Sequence, residues 1–301
     1  MEVLKKLYDF IEELISKFVV DNSLNYSGSI AFFTIFSLPG ILMGVLLIAG
    51  PVFGEQIVKG ELYNQIHHLV GESSALQIKA IIENLENADF SLTALIVAIS
   101  TLLYGSTSVF ASIQDGINVI WGLRPKPKRI ALKFILNRLI SIAMIGTIGF
   151  LMLVSLSADM LVVIFNDLLV DFFGEKSVTL ITFFKQVSFS VIVLFVFTTV
   201  YKVLPDAKLE WKDIFKGALL STVLFMFGKY LIGIYLGNSS LGTAYGAAGS
   251  LVLLLIWVYY SAMILLFGAE FIEVYTRRKN RIIKPTSESV KIITKEVHFD
   301  N

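Results

Sequence analysis

Five small or polar residues, Thr101, Gly105, Ser108, Ser112 and Asp115, follow one another along an apolar stretch at intervals of 4, 3, 4 and 3. That spacing puts them on one face of a helix. Asn118 extends the line and Gln114 lies beside it. Two chemistries fit. The stripe lines a water-accessible groove that ends in a carboxylate, or it is a close-packed seam, since small and hydroxyl residues let membrane helices approach. Lys229 is the second candidate. It stands in another apolar stretch, roughly 22 Å from its start at 1.5 Å per residue. Asp159 sits at a comparable depth in a third stretch. Together they could attract an anionic head group or a coupling ion. Apart, Lys229 would snorkel outward and Asp159 would sit at an interface. Glu270 is the third candidate. It closes the apolar and aromatic run "GTAYGAAGSLVLLLIWVYYSAMILLFGAEF" (242–271). At roughly 36 Å from Gly246, Glu270 is expected at an inner rim beside Asp115, with Arg124, Arg138 and Lys202 near enough in depth to pair.

Other chemistries lack their residues. The chain has no Cys, which excludes disulfides and thiolates, and three His. His67 and His68 are adjacent, so they point to different faces, and His298 falls in the opposite compartment. No G-x-S-x-G, P-loop or G-x-G-x-x-G is present. No catalytic set, metal site or cofactor is therefore expected. With a net charge of +1 there is no long-range attraction to nucleic acid.

The elements that must position these residues follow from composition. The 301 residues are 55% hydrophobic and 16% charged, with a mean hydropathy of +0.76. Soluble domains carry about 25% charged residues, and a water-facing surface needs polar cover that this chain lacks. An all-α polytopic membrane protein is expected. Six segments reach the ~20 apolar residues that a spanning helix needs: about 28–50, 91–113, 138–165, 180–203, 214–236 and 246–271. Of 25 Lys and Arg, 20 fall at or beyond one end of these spans, four at or beyond the other, and Lys229 lies deep within one. By the positive-inside rule both termini are expected to be cytoplasmic, with six crossings.

The flanking segments carry their own signals. In residues 1–24, Leu4, Leu7, Ile11, Leu14 and Phe18 recur at three and four, with charges between them. This is an amphipathic helix that lies on the membrane interface or packs on the rest of the protein. The first outer loop, about 51–90, holds a second amphipathic pattern at Ile78, Ile81, Ile82 and Leu85. "LPDAKLEWKD" (204–213) is an inner turn in which Asp206 or Asp213 could cap a helix. Pro39 should kink the first span, with Ser37 bonding the freed carbonyl. Gly233 and Gly237 before the turn between the fifth and sixth spans, and Gly242, Gly246 and Ser250 after it, each repeat a four-residue spacing, the pattern of touching helices. Residues 277–301 read as a polar cytoplasmic tail, mobile beyond about 280.

Four segments together resemble the YihY/BrkB family of bacterial inner-membrane proteins, once labelled ribonuclease BN. They are "AFFTIFSLPG" (31–40), "INVIWGLRP" (117–125), "YKVLPDAKLEWKDIFKGALL" (201–220) and, most specific, "TAYGAAGSLVLLLIWVYYSAMILLFGAEF" (243–271). Phe32 and Phe33 stand where Tyr is common in the family, and Gly40 where a second Pro is frequent. The resemblance covers about residues 20–275. It implies a six-span inner-membrane protein without an agreed activity, for which envelope lipid transport and virulence-associated resistance have been proposed. It brings no catalytic residues, and the ribonuclease label is regarded as a misassignment.

The functional expectation is transport or flipping of an amphipathic or anionic envelope component such as a lipid, with membrane lipids as partners. In that reading the stripe lines the path, Lys229 attracts a phosphate or carboxylate, and Asp115 and Glu270 gate the inner end. The alternatives are a non-transporting scaffold or envelope-integrity factor and, more remotely, a membrane-associated ribonuclease.

Overall fold

The computed structural model describes residues 2–70, 72–86, 92–126, 176–238 and 249–292, with short pieces at 135–136, 139–140 and 143–144. The helices among them are α1 (Glu2–Val20), α2 (Ser23–Phe53), α3 (Glu55–Val70), α4 (Glu72–Glu86), α5 (Leu92–Ile120), α6 (Lys176–Val203), α7 (Trp211–Asn238) and α8 (Gly249–Arg278). Four short strands accompany them: β1 (Leu123–Pro125), β2 (Ala207–Lys208), β3 (Lys284–Pro285) and β4 (Ser289–Lys291).

Three of the described helices contain windows long and apolar enough to cross a membrane: Gln186–Val203 in α6, Trp211–Leu231 in α7 and Leu251–Arg278 in α8. Their outer faces show why. Phe183, Val187, Val191 and Phe195 of α6 step by four and are 42–63% exposed. Phe215, Leu219, Val223 and Phe227 do the same on α7 at 46–58%. Soluble surfaces rarely leave such continuous apolar stripes uncovered; hydrocarbon suits them. α2 and α5 cover the expected first two spans. The third expected span, 138–165, falls outside the described residues apart from 139–140 and 143–144.

The buried core forms two clusters. At one end, named the inner end after the expectation from Lys and Arg placement, Ile30, Ile113, Ile117, Trp121, Ile214 and Leu266 pack together. Toward the outer end, Leu42, Leu46, Val58, Ile78, Ile82 and Trp257 do so. The outer loop is thus an α3–α4 hairpin. The expected amphipathic helix is α4, with Ile78 and Ile82 buried, and α3 joins it through Val58 and Leu62.

Glycines let the helices touch, though at positions the spacing did not single out. A Cβ on Gly228 would run into the Tyr260 ring, and one on Gly268 into Tyr201 and Ser221. In the expected set, Gly233 and Gly237 lie on α7 and Ser250 on the first turn of α8, while Gly242 and Gly246 lie outside the described residues. α2 runs helical through Pro39 and Pro51. Ser37 Oγ donates to Thr34 O at 3.0 Å, one residue short of the Ile35 carbonyl that Pro39 frees.

The tail departs most from expectation. After α8 the chain crosses the inner face as a strap. Arg281 binds Glu210 at 3.1 Å and Asp213 at 2.6 Å, so Asp213 pairs a cation. β3 pairs antiparallel with β2, Ala207 opposite Pro285, and β4 with β1, Arg124 opposite Val290. Ser289 Oγ donates to Asp206 O at 2.7 Å. A polar segment is bound here because its partners are the unpaired backbone groups of two inner loops, which hydropathy does not register.

Candidate functional site

The inner end concentrates the buried polar side chains. α1 reaches it because Phe10, Leu14 and Phe18 recur at four and meet α8. Leu14 is buried, Phe10 packs edge-on against Phe271 and Phe18 against Phe267. Glu13 bridges Arg277 and Arg278, the latter at 2.6 Å. Burial works against the Glu13 carboxylate, but the two guanidiniums outweigh it and hold its carboxyl below the usual range. An adjoining strip of α1, with Leu4, Tyr8, Ile11 and Ile15, stays 46–71% exposed. The helix is therefore docked by one side and apolar on another.

At Asn22 the backbone turns left-handed, φ 55°, which Asn tolerates better than most residues. This turn places Asp21 and Ser23 over the end of α8, where Glu270 is fully buried. Ser23 Oγ donates to Glu270 Oε1 at 3.4 Å. The Asp21 and Glu270 carboxyls are near enough to act on each other, and among the described residues Glu270 Oε2 has no hydrogen-bond partner. Lys17 Nζ lies 2.9 Å from Glu273 Oε2 and 3.9 Å from Asp21 Oδ2. Arg277 Nε holds the other Glu273 oxygen at 3.2 Å. Burial pushes the Asp21 carboxyl up, against the pull of Lys17 and of the Glu270 carboxyl; Glu273 adds to the push. Burial also pushes the Lys291 ammonium down, and Lys291 Nζ donates to Trp121 O at 2.5 Å. Trp121, itself fully buried, donates Nε1 to Ala269 O at 3.0 Å, one residue before Glu270.

The expected site residues separate. Gly105 lies against α2, where a Cβ would come within 2.9 Å of Ser37 Cβ. Ser108 and Ser112 are half-buried, and Asp115 is exposed. Asn118 is buried; it donates Nδ2 to Asp206 Oδ2 at 3.2 Å and accepts from Asp206 N at 3.0 Å. The side chain of Thr101, together with Asp159 and Arg138, lies outside the described residues. Lys229 sits 4.3 Å over the Phe189 ring. Of the two expected rim carboxylates, Glu270 is buried and Asp115 is exposed. Lys202 does not serve Glu270; it donates to Leu209 O at 2.8 Å. The cation of the site is Lys17, which sequence reasoning placed on a charged surface. No group of three or more His, Asp or Glu that could hold a metal occurs among the described residues. On the outer side, an open cavity of about 450 Å³ between α3 and α4 is lined by Lys59, Tyr63, Asn64, Lys79 and Glu83.

Comparison with known proteins places this geometry in context. The family described as Virulence factor BrkB matches residues 14–292. A UPF0761 membrane protein of Psychromonas ingrahamii is 27% identical over 277 residues, 90% of this chain and 88% of that protein. A UPF0761 membrane protein of Psychrobacter is 26% identical; the match covers 89% of this chain but only 50% of that longer protein. A protein of Bacillus subtilis named ribonuclease-like protein YfkH is 23% identical over 90% of this chain and 96% of its own length. No solved structure matches the chain.

Proposed function

Because the chain belongs to the BrkB family and is a membrane protein, we propose that it transports or flips an amphipathic, anionic component of the bacterial envelope, such as a lipid. The observation that carries this reading is the group Lys17, Asp21, Glu270 and Glu273, gathered where the spans end. Ionisable side chains enclosed in a membrane bundle are rare and usually lie on a substrate or ion pathway. Lys229, half-buried on α7, supplies a second positive charge deeper in the path. In this reading the stripe from Thr101 through Gly105, Ser108, Ser112 and Asp115 to Asn118 opens when α5 parts from α2 at the Gly105–Ser37 contact. Asp159 would pair Lys229 when the path is empty.

The proposal includes six crossings of the inner membrane with both termini cytoplasmic, and α1 lying on the inner interface by its exposed apolar strip. The absence of Cys makes orientation testable. A lone cysteine at Ser287 should react only from the cytoplasmic side and one at Asn64 only from the outer side; the reverse pattern rejects the orientation.

Transport is tested in vesicles carrying a head-group-labelled anionic phospholipid and an impermeant quencher added outside. Protein-containing vesicles should expose inner-leaflet label faster than protein-free ones, and Lys229→Ala should slow that exposure. Rates equal to protein-free vesicles reject flipping of that lipid. Equal rates for wild type and Lys229→Ala remove Lys229 from the path. The scaffold reading has one observation in its favour, the tight α2–α5 contact at Gly105. The ribonuclease-like name stays with the Bacillus subtilis relative, and no enzyme activity is proposed here.

A further inference from the structure

Glu270 is 0% exposed, and its Oε2 has no partner among the described residues. An ionised carboxylate so placed is strongly disfavoured and would take up a proton or a counter-ion. The cations nearby are already engaged. Lys17 is closest to Glu273, 2.9 Å against 3.9 Å to Asp21. Arg277 holds Glu273 and Glu13. Lys291, near enough to feel both Glu273 and Lys17, donates its hydrogen bond to the Trp121 carbonyl. From α2 the facing group is the Ser23 hydroxyl. From the turn after α5 it is Trp121, bonded to the Ala269 carbonyl, while Asp115 on α5 is exposed. Two carboxyls, Asp21 and Glu270, are therefore neighbours at the joint that Ser23 bonds to Glu270, with Lys17 3.9 Å from Asp21. Such a pair does not carry two charges; it shares one proton.

We propose that Asp21 and Glu270 form a proton-binding site that, while occupied, holds the α1–α2 joint against the end of α8. The Asp21 side chain is 23% exposed, so a proton from water first forms an O–H bond at Asp21. It then passes to Glu270, leaving Asp21 ionised beside Lys17. When the proton leaves to solvent through Asp21, two like charges remain across the joint and push α1 and the start of α2 away from α8. This site goes beyond the transport reading and does not rest on it, because its occupancy is measured without any flux.

The test is infrared difference spectroscopy of the full-length protein in lipid, titrated with pH. Wild type should show the carbonyl stretch of a protonated carboxyl near neutral pH, lost as pH rises, and Glu270→Gln should lack it. Asp21→Asn should keep a band but shift its midpoint. No such band in wild type overturns the proton site, and this arm needs no variant to fold. A midpoint unchanged in Asp21→Asn overturns the pairing. A band that disappears on adding sodium at fixed pH assigns the site to a metal cation and overturns the proton. Both variants keep side-chain shape, and monodisperse elution from a sizing column checks their folding.

Discussion

At the inner end, residues far apart in sequence meet through directional contacts. Glu13 binds Arg277 across 264 positions, and Lys291 bonds the Trp121 carbonyl across 170. At the outer end the α3–α4 hairpin is held by apolar packing, Ile78 and Ile82 against Leu42 and Trp257. Lys59–Glu55 at 4.0 Å and Lys79–Glu83 at 3.8 Å are each ion pairs within a single helix. The difference has a physical meaning. Apolar contacts are non-directional and tolerate changes that conserve volume. A buried polar contact leaves its partner unsatisfied when broken. The inner end should therefore respond to single-atom changes and to pH, and the outer end mainly to lost volume.

Thermal unfolding in detergent measures that contrast. Trp121→Ala should have the largest effect, about 3–5 kcal/mol, because it empties a fully buried site and removes the indole hydrogen bond to the Ala269 carbonyl. A loss under about 1 kcal/mol would break the claim that the inner end depends on it. Ser289→Ala should cost about 1–3 kcal/mol, since Ser289 Oγ bonds both Asp206 O and Thr286 N. No loss would mean that the strap is not held there. On the outer side, Ile78→Val should cost about 0.5–1.5 kcal/mol, from lost volume alone. A cost equal to that of Trp121→Ala would erase the contrast between the ends.

The pH response should be smaller and confined to the inner end. Asp21 has a raised folded pKa, so its contribution is fully present below the ordinary carboxylate value. It is lost as pH rises through the raised one. Glu13 has a lowered pKa, so its contribution is present above the ordinary value and lost as pH falls through the lowered one. Docking of α1 should be firmest between those two limits. Amide exchange of α1 should quicken on the alkaline side through Asp21 and on the acid side through Glu13, while α4 exchange stays level. Equal pH dependence in α1 and α4 would contradict the assignment. The smallest effect should come from Lys79→Ala, within about 0.5 kcal/mol, since that pair is exposed.

Much of the helical layout was legible. The expected segments 180–203 and 214–236 correspond to α6 and α7, and α4 follows its isoleucine pattern. The sixth segment was expected at 246–271, whereas α8 runs Gly249–Arg278. Hydropathy stops a span at its first carboxylate, but Glu270, Glu273 and Arg277 continue the helix because each finds a partner inside the protein. The candidate site was legible only in Glu270. Nothing local marks Asp21 or Lys17 as different from other charges on α1. Asn118 stood out by its spacing on the stripe, yet its bond to Asp206 spans 88 positions.

The sequence by itself determined that this is an apolar helical protein and, from Lys and Arg placement, which loops should share a side. Those properties follow from composition and short periods, which are additive along the chain. Only the tertiary structure decided that the tail is a strap, that α1 is docked by one face, and that Glu270 is buried beneath the α1–α2 joint. Those depend on which distant groups meet, and the free energy of a buried charge is set by its neighbours in space.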